Sequence, residues 1–273
     1  MELYRVESLT FTYPGQFAPA LRDVSLTLRA GEFVTLCGLS GSGKSTLLRQ
    51  FKTALAPNGV RSGAVLFAGR LLSDVSPREQ AERIGFVQQS PENQIVTDKV
   101  WHELAFGLES LGYDTPTIRR RVAEMAGFFG MESWFHREAA SLSGGQKQLL
   151  NLAAVLTLQP DVLILDEPTA QLDPIAAADF LAALARVNRE LGTTMLLSEQ
   201  RLEEALPLSD RAVVLDGGAV LADGAPRAVG AQLRTAGHEL FRAMPAAMRV
   251  WAAVENDLPC PVSVREGRDW LAD

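Results

Sequence analysis

Apolar positions in the first seventy residues follow the short period of strands. LYRVESLTFTY, VSLTL, EFVTLCG and AVLFAG are each rich in apolar or β-branched residues and bounded by Gly, Asp or Pro, and each reads as a strand. From Lys44 onward the pattern alternates. Apolar residues three and four apart mark helices through Ile118, Val122, Met125, Ala126 and Phe129, and through Ala178, Leu181, Ala182, Ala185 and Val187. Between helical stretches lie DVLILD, TTMLLSE and RAVVLDGG, whose continuous hydrophobicity suits strands buried on both faces of a parallel sheet. The order of elements predicts an α/β fold. Helix starts are marked by a capping residue before a proline: Ser76-Pro77, Thr115-Pro116 and Asp173-Pro174. Ser76 with Glu79 also has the spacing of a capping box. After about residue 225 the strands stop, and two short helices are expected in LRTAGHELFRAMPAAMRVWAAVE and PVSVREGRDWLAD, the last capped by Ser263 and Glu266. Residues 226–273 therefore read as a small helical C-terminal appendage to a domain over 1–225.

Composition narrows the class. The 273 residues, 47% apolar and 22% charged, suit one large domain or one domain with an appendage, and exclude wholesale disorder. Twenty-six basic against thirty-three acidic side chains leave a formal charge of −7, so a chain-wide basic footprint for phosphodiester backbones is missing and no nucleic acid is expected. Cys37 and Cys260 match no disulfide framework or zinc spacing, and MELYRVESLTF lacks the basic-then-apolar order of a signal peptide. A reducing, cytoplasmic setting is expected. No window approaches 18 uninterrupted apolar residues, so membrane association is expected to come through a partner.

The strongest chemical signal is Gly38-Leu39-Ser40-Gly41-Ser42-Gly43-Lys44-Ser45, which fits the phosphate-binding loop G-x-x-x-x-G-K-[ST] and directly follows the apolar strand EFVTLC. Glycines let backbone amides curl around phosphate oxygens, and the following helix offers its positive end. Lys44 would reach the β and γ phosphates, and the Ser45 hydroxyl would ligate Mg²⁺. Downstream, Leu163-Ile164-Leu165-Asp166-Glu167 reads as a buried strand ending in two carboxylates. Neighbouring side chains on a strand point to opposite sides, so the two should do different jobs. Asp166 would sit behind the metal and Glu167 would polarise an attacking water as general base. Taken without the upstream loop, an acidic pair after a strand is more often a helix cap or a solvated loop; the phosphate loop reverses that reading.

Leu142-Ser143-Gly144-Gly145-Gln146 precedes a helix running through Leu149, Leu150 and Ala153. Ser143 and Gln146 have capping-box spacing, and the two glycines would let an anion approach exposed amides at a positive helix end. With the phosphate loop and the acidic pair in this order, the chain resembles the ATP-binding cassettes over roughly residues 2–225. That resemblance implies an ABC-type P-loop ATPase fold: a parallel-sheet core, an antiparallel β subdomain, and a helical subdomain at about 90–155 that carries the signature. It also implies that Tyr13 stacks on adenine, that Thr46 joins Gly38–Ser45 at the phosphates, and that Gln89, with Gln88 the other registration, touches Mg²⁺ or the attacking water. Ser143 to Gln146 would bind the nucleotide of a partner cassette. Asp173, in Ala170-Gln171-Leu172-Asp173, would cross to that partner or only cap the following helix.

One position departs from the family pattern. Where such cassettes carry a histidine after the next strand, this chain has Gln200, and its three histidines, His102, His136 and His238, are remote in sequence. A glutamine amide donates a hydrogen bond but does not ionise near neutral pH, so some loss of hydrolysis is expected here. The resemblance further implies two cassettes paired head to tail, each ATP sandwiched between one chain's phosphate loop and the other's signature. An intact signature beside Gln200 favours a heterodimer over a homodimer.

Among transporter cassettes the likeness is to energy-coupling factor ATPases, carried by Pro91-Glu92-Asn93-Gln94-Ile95-Val96, by Val100 to Leu108 and by Ser198 to Glu204. It implies an importer of a vitamin, cofactor precursor or metal ion at the cytoplasmic membrane face, with a transmembrane coupling subunit and a substrate-binding membrane component. Val100, Trp101, Leu104, Ala105 and Leu108 form an apolar stripe, with Trp101 a candidate contact for the coupling subunit. The alternatives are a soluble cassette ATPase outside transport, whose long coiled-coil insertion or fused second cassette this sequence lacks, and an assembly subunit that binds ATP and scarcely hydrolyses it.

Overall fold

The computed structural model describes residues 1–272, which divide into two compact units: Met1–Asp74 together with the chain from Met195 onward, and Val75–Thr194. The first unit begins with β1 (Glu2–Thr12), β2 (Leu21–Arg29), β3 (Phe33–Cys37), α1 (Lys44–Arg49), β4 (Val60–Phe67) and β5 (Arg70–Leu71). The second holds α2 (Pro77–Arg83), β6 (Ile84–Val87), α3 (Val100–Ser110), α4 (Thr115–Phe128), α5 (Gly144–Leu156), β7 (Val162–Asp166) and α6 (Pro174–Leu191). The chain returns to the first through β8 (Thr194–Ser198), α7 (Leu202–Ala205), β9 (Arg211–Asp216), β10 (Ala219–Gly224), α8 (Pro226–Thr235), α9 (Ala246–Ala252) and α10 (Val264–Ala272).

The first unit contains an antiparallel sheet in the order β2-β1-β4-β5. Alternating burial along β2, with Leu21, Val24, Leu26 and Leu28 inward, is the half-buried pattern an antiparallel strand requires. In contrast β3, flanked by β8 and β9 in parallel register (Val34 opposite Leu196 and Arg211), is buried at every residue. The second unit pairs β6 with β7 in parallel, Ile84 opposite Val162 and Val87 opposite Leu165, again buried throughout. The strands expected from continuous apolar runs are thus present. Three further strands lack such a run: β5 is only two residues, β6 is four residues with a glycine inside, and β10 interrupts its alternation with Asp223.

Helix caps follow local chemistry. Ser76 accepts from the Glu79 amide, and Asp173 accepts from the amides of Ile175 and Ala176. At α4 the cap is Asp114 rather than Thr115, since the aspartate accepts from Thr117 N and Pro116 stands one position further in. The buried stripe of α6 is Ala177, Phe180, Leu181, Leu184 and Val187, turned from the expected one because Phe180 and Leu184 dominate the burial.

Beyond Gly224 the chain forms four helical pieces rather than two, because Gly237 and Pro245 punctuate the first expected stretch. They pack on the parallel strands of their own unit: Val229, Leu233, Met248 and Trp251 share a cluster with Cys37 and Val214. Both cysteines are free and buried, and burial pushes their thiols up, Cys37 to about 12 and Cys260 to about 11, so neither is a reactive thiolate near neutral pH.

Candidate nucleotide-binding site

The phosphate loop belongs to the first unit, where it joins β3 to α1 over residues 38–43. Two of its glycines are dictated by neighbouring backbone. Gly38 has φ +154°, and a Cβ there would lie 2.3 Å from the Leu215 carbonyl oxygen; at Gly43, φ +101°, it would lie 2.7 Å from that of Ala20. The loop is braced from behind by Gly218, whose amide donates to Ser42 O at 3.1 Å and whose carbonyl accepts from Arg22 N at 2.7 Å. This brace left no mark in the motif, and only the Gly217-Gly218 turn hinted at close backbone approach.

Lys44 is 5% exposed, and its Nζ donates to Gly38 O at 2.9 Å and Leu39 O at 3.2 Å, which draws the ammonium across its own loop. Gly43, the N-cap of α1, supplies no side-chain cap, and Ser45 lies in the first turn at the positive end of the helix. Tyr13 is tied to the same helix: its hydroxyl shares a 2.9 Å hydrogen bond with Thr46 Oγ1, and its ring meets Phe11 edge-on at 4.9 Å. At the end of β8, Glu199 is buried and accepts from the amides of Gln200 at 2.7 Å and Arg201 at 3.0 Å, while the Gln200 side chain is exposed. Sequence reading missed Glu199.

In the second unit Asp166 is the buried last residue of β7, and Glu167, half-buried, follows with φ +46°, a left-handed conformation uncommon outside glycine and of the kind stored at functional turns. The loop after β6 leaves Gln88 and Gln89 exposed while fixing the backbone around them. Gln94 Oε1 accepts from Gln88 N at 3.0 Å, and Gln94 Nε2 donates to Phe86 O at 3.0 Å. Gln148 and Asn151 anchor the same loop from α5, two further residues that sequence reading passed over.

Ser143 and Gln146 form the reciprocal capping box their spacing predicted, with Ser143 N donating to Gln146 Oε1 at 3.0 Å and Gln146 N to Ser143 Oγ at 3.3 Å. Gly145 is confined by Ala176, to whose Cβ an added methyl would approach within 3.0 Å. Lys147 pairs with Glu92 at 2.6 Å and holds that carboxyl below the usual range. Asp173 is engaged as the cap of α6, one of its two expected roles. On α3, Val100, Leu104, Ala105 and Leu108 are buried, whereas Trp101 is 41% exposed and stacked on His102.

The family model described as ABC transporter matches residues 21–170, a stretch that contains the phosphate loop, the signature and the acidic pair. The chain belongs to the ABC transporter family. As an ABC transporter ATP-binding chain it is 45% identical over 272 residues to a Bacillus anthracis protein provisionally described as an ABC transporter ATP-binding protein, covering 98% of this chain and 48% of that one. A Streptomyces avermitilis protein of the same description is 40% identical over 97% of this chain and 46% of its own length. The chain spans about half the length of the curated relatives it matches.

Among solved structures the ABC fold is matched by cbiO1 from Clostridium perfringens, described as part of the ABC transporter complex cbiONQ, with TM-score 0.77 and 31% identity over 88% of this chain and 96% of that one. It is matched as well by the ATP-binding cassette MJ0796, a dimer in a post-hydrolysis state bound to ADP and Pi, with TM-score 0.71 and 25% identity over 82% and 98%. Among the described residues, no helix of this ABC chain is long and apolar enough to cross a membrane.

Proposed function

We propose that the chain is the ATP-hydrolysing subunit of an importer of the energy-coupling factor type, taking up a vitamin, cofactor precursor or metal ion. The observation that carries the ATPase reading is the phosphate loop itself: glycines packed so closely on the Leu215 and Ala20 carbonyls that a Cβ would collide, a buried Lys44 whose ammonium lies against the loop's own carbonyls, and a helix start without a side-chain cap. Ser45 hydroxyl, Gln89 amide oxygen and Asp166 carboxylate are hard oxygen donors of the kind Mg²⁺ takes, and that ion, when bound, neutralises charge on the phosphate oxygens. Tyr13 stacks the base. Gly38 to Thr46 bind the phosphates. Glu167 accepts the proton of the attacking water.

Ser143 to Gln146 serve a second cassette's nucleotide, so the working unit is a pair, with a heterodimer favoured. The dimeric state of the MJ0796 cassette supports pairing, and the description of cbiO1 as part of a transporter complex supports membrane partners and a peripheral, cytoplasmic-face location. Trp101 offers an exposed indole for the coupling subunit, and Trp101→Glu is expected to abolish co-purification of that subunit while ATP turnover of the isolated chain stays within about twofold. Complex recovery after co-expression checks this; undiminished recovery contradicts it.

Gln200 favours a second reading, an assembly subunit that binds ATP and turns it over slowly. Loss of one charge-assisted contact to a phosphoryl-transfer transition state costs on the order of 10²-fold. Gln200→His is therefore expected to raise kcat by roughly tenfold or more with nucleotide affinity unchanged. A variant no faster than wild type would show that the glutamine suffices.

A further inference from the structure

The buried face of α5 carries polar groups that the nucleotide chemistry above does not use. Gln148 and Asn151, 0% and 1% exposed, stand three residues apart on the helix whose first turn is the signature. The Gln148 Nε2 donates twice, to Gln88 O at 3.1 Å and to Pro168 O at 2.8 Å. Gln88 immediately precedes Gln89, and Pro168 immediately follows Glu167. One rigid planar amide group thus spends both its N–H bonds holding the backbone beside two separate residues of the proposed site. Asn151 Nδ2 adds a bond to Pro91 O at 3.0 Å, on the Gln89 side only.

The side-chain oxygens of Gln148 and Asn151 are buried without a hydrogen-bond partner. Burying them is a cost that an apolar side chain of the same length would not carry. What the Gln148 amide supplies in return is the double donation, and one of its two acceptors belongs to the turn in which Glu167 holds a left-handed backbone.

We propose that Gln148 is a positioning residue: it locks the loop of Gln89 to the turn of Glu167 and ties both to the signature helix, so that an anion docking at Ser143 to Gln146 is felt at the attacking water. The proposal rests on the reading in which Gln89 and Glu167 act on ATP. Its physical core is independent of that reading, namely that two segments share a single donor group.

Gln148→Met keeps length and volume and removes the donors. Two measurements on the purified chain test it: steady-state MgATP hydrolysis, and amide hydrogen exchange without nucleotide. Expected are a kcat at least tenfold lower with KM and MgATP Kd within twofold, and faster exchange in residues 88–94 and 168–172 together. Asn151→Leu, which leaves the Pro168 bond intact, is expected to quicken exchange only in 88–94 and to lower kcat less than threefold. A Gln148→Met kcat within twofold of wild type, exchange faster in only one segment, or an equal effect of Asn151→Leu would each overturn the proposal. If Gln148→Met fails to fold, Gln148→Glu, the same length with oxygens in place of donors, is read by the same criteria. If neither folds while Asn151→Leu does, the role is structural and the proposal falls. A wild-type chain that does not turn over MgATP overturns the functional reading, and the exchange result alone then decides the clasp.

Discussion

Lys44→Met is expected to weaken MgATP binding by roughly 10- to 100-fold. A hydrogen bond from a charged donor is worth about 1.5–3 kcal/mol, and each 1.4 kcal/mol is about a factor of ten in Kd. The upper part of the range applies because Lys44 is buried, so water does not replace its ammonium. The variant also strips the donor from Gly38 O and Leu39 O, two carbonyls that otherwise turn their negative ends toward the phosphates. Lys44→Arg is expected to fail as well, since a planar guanidinium does not fit a point-charge position against two loop carbonyls. Isothermal titration with MgATP checks the affinity. A thermal scan gives an independent reading: wild type at nucleotide a hundredfold above Kd gains about 2.7 kcal/mol of stability, and the variant at the same concentration gains only about 0.4–1.4 kcal/mol. A variant with unchanged Kd would remove Lys44 from the phosphate site.

Much of this site was legible in the sequence, because its chemistry is local. The phosphate loop needs glycines at fixed offsets from one lysine, and the backbone collisions at Gly38 and Gly43 give the physical reason. The Ser143–Gln146 box and the Asp173 cap are contacts between residues two or three apart, which spacing alone predicts. What stayed hidden are groups acting across long stretches of chain. Gly218 braces Ser42 from 176 positions away, and Gln148 reaches Gln88 across 60. Nothing in a buried glutamine's neighbours along the chain reveals which carbonyls it will meet. The C-terminal region was read as two helices for a related reason. Breaks at Gly237 and Pro245 are tolerated because Trp251, Met248 and Leu233 bury against β9 and α7 residues of the same unit, and tertiary packing rather than helical period sets those boundaries.

Glu167→Gln is expected to lower kcat by about 10²- to 10⁴-fold, the range a positioned general base contributes, with MgATP Kd within about threefold of wild type. The substitution keeps the shape of the side chain and removes its ability to take a proton. It adds no backbone penalty, since glutamine and glutamate carry the same Cβ into the left-handed conformation at φ +46°. Binding and turnover therefore separate, which distinguishes a base from a phosphate or metal ligand: Asp166→Asn, at the buried end of β7, is expected to raise Kd for MgATP as well as to slow the reaction. Glu199 is the necessary comparison, because it is another buried carboxylate at a strand end. Both amides it accepts come from its own turn, at Gln200 and Arg201, and its removal should disturb that turn rather than abolish proton transfer. If Glu167→Gln kept more than a tenth of wild-type turnover while Glu199→Gln lost nearly all of it, the base would have to be reassigned to Glu199.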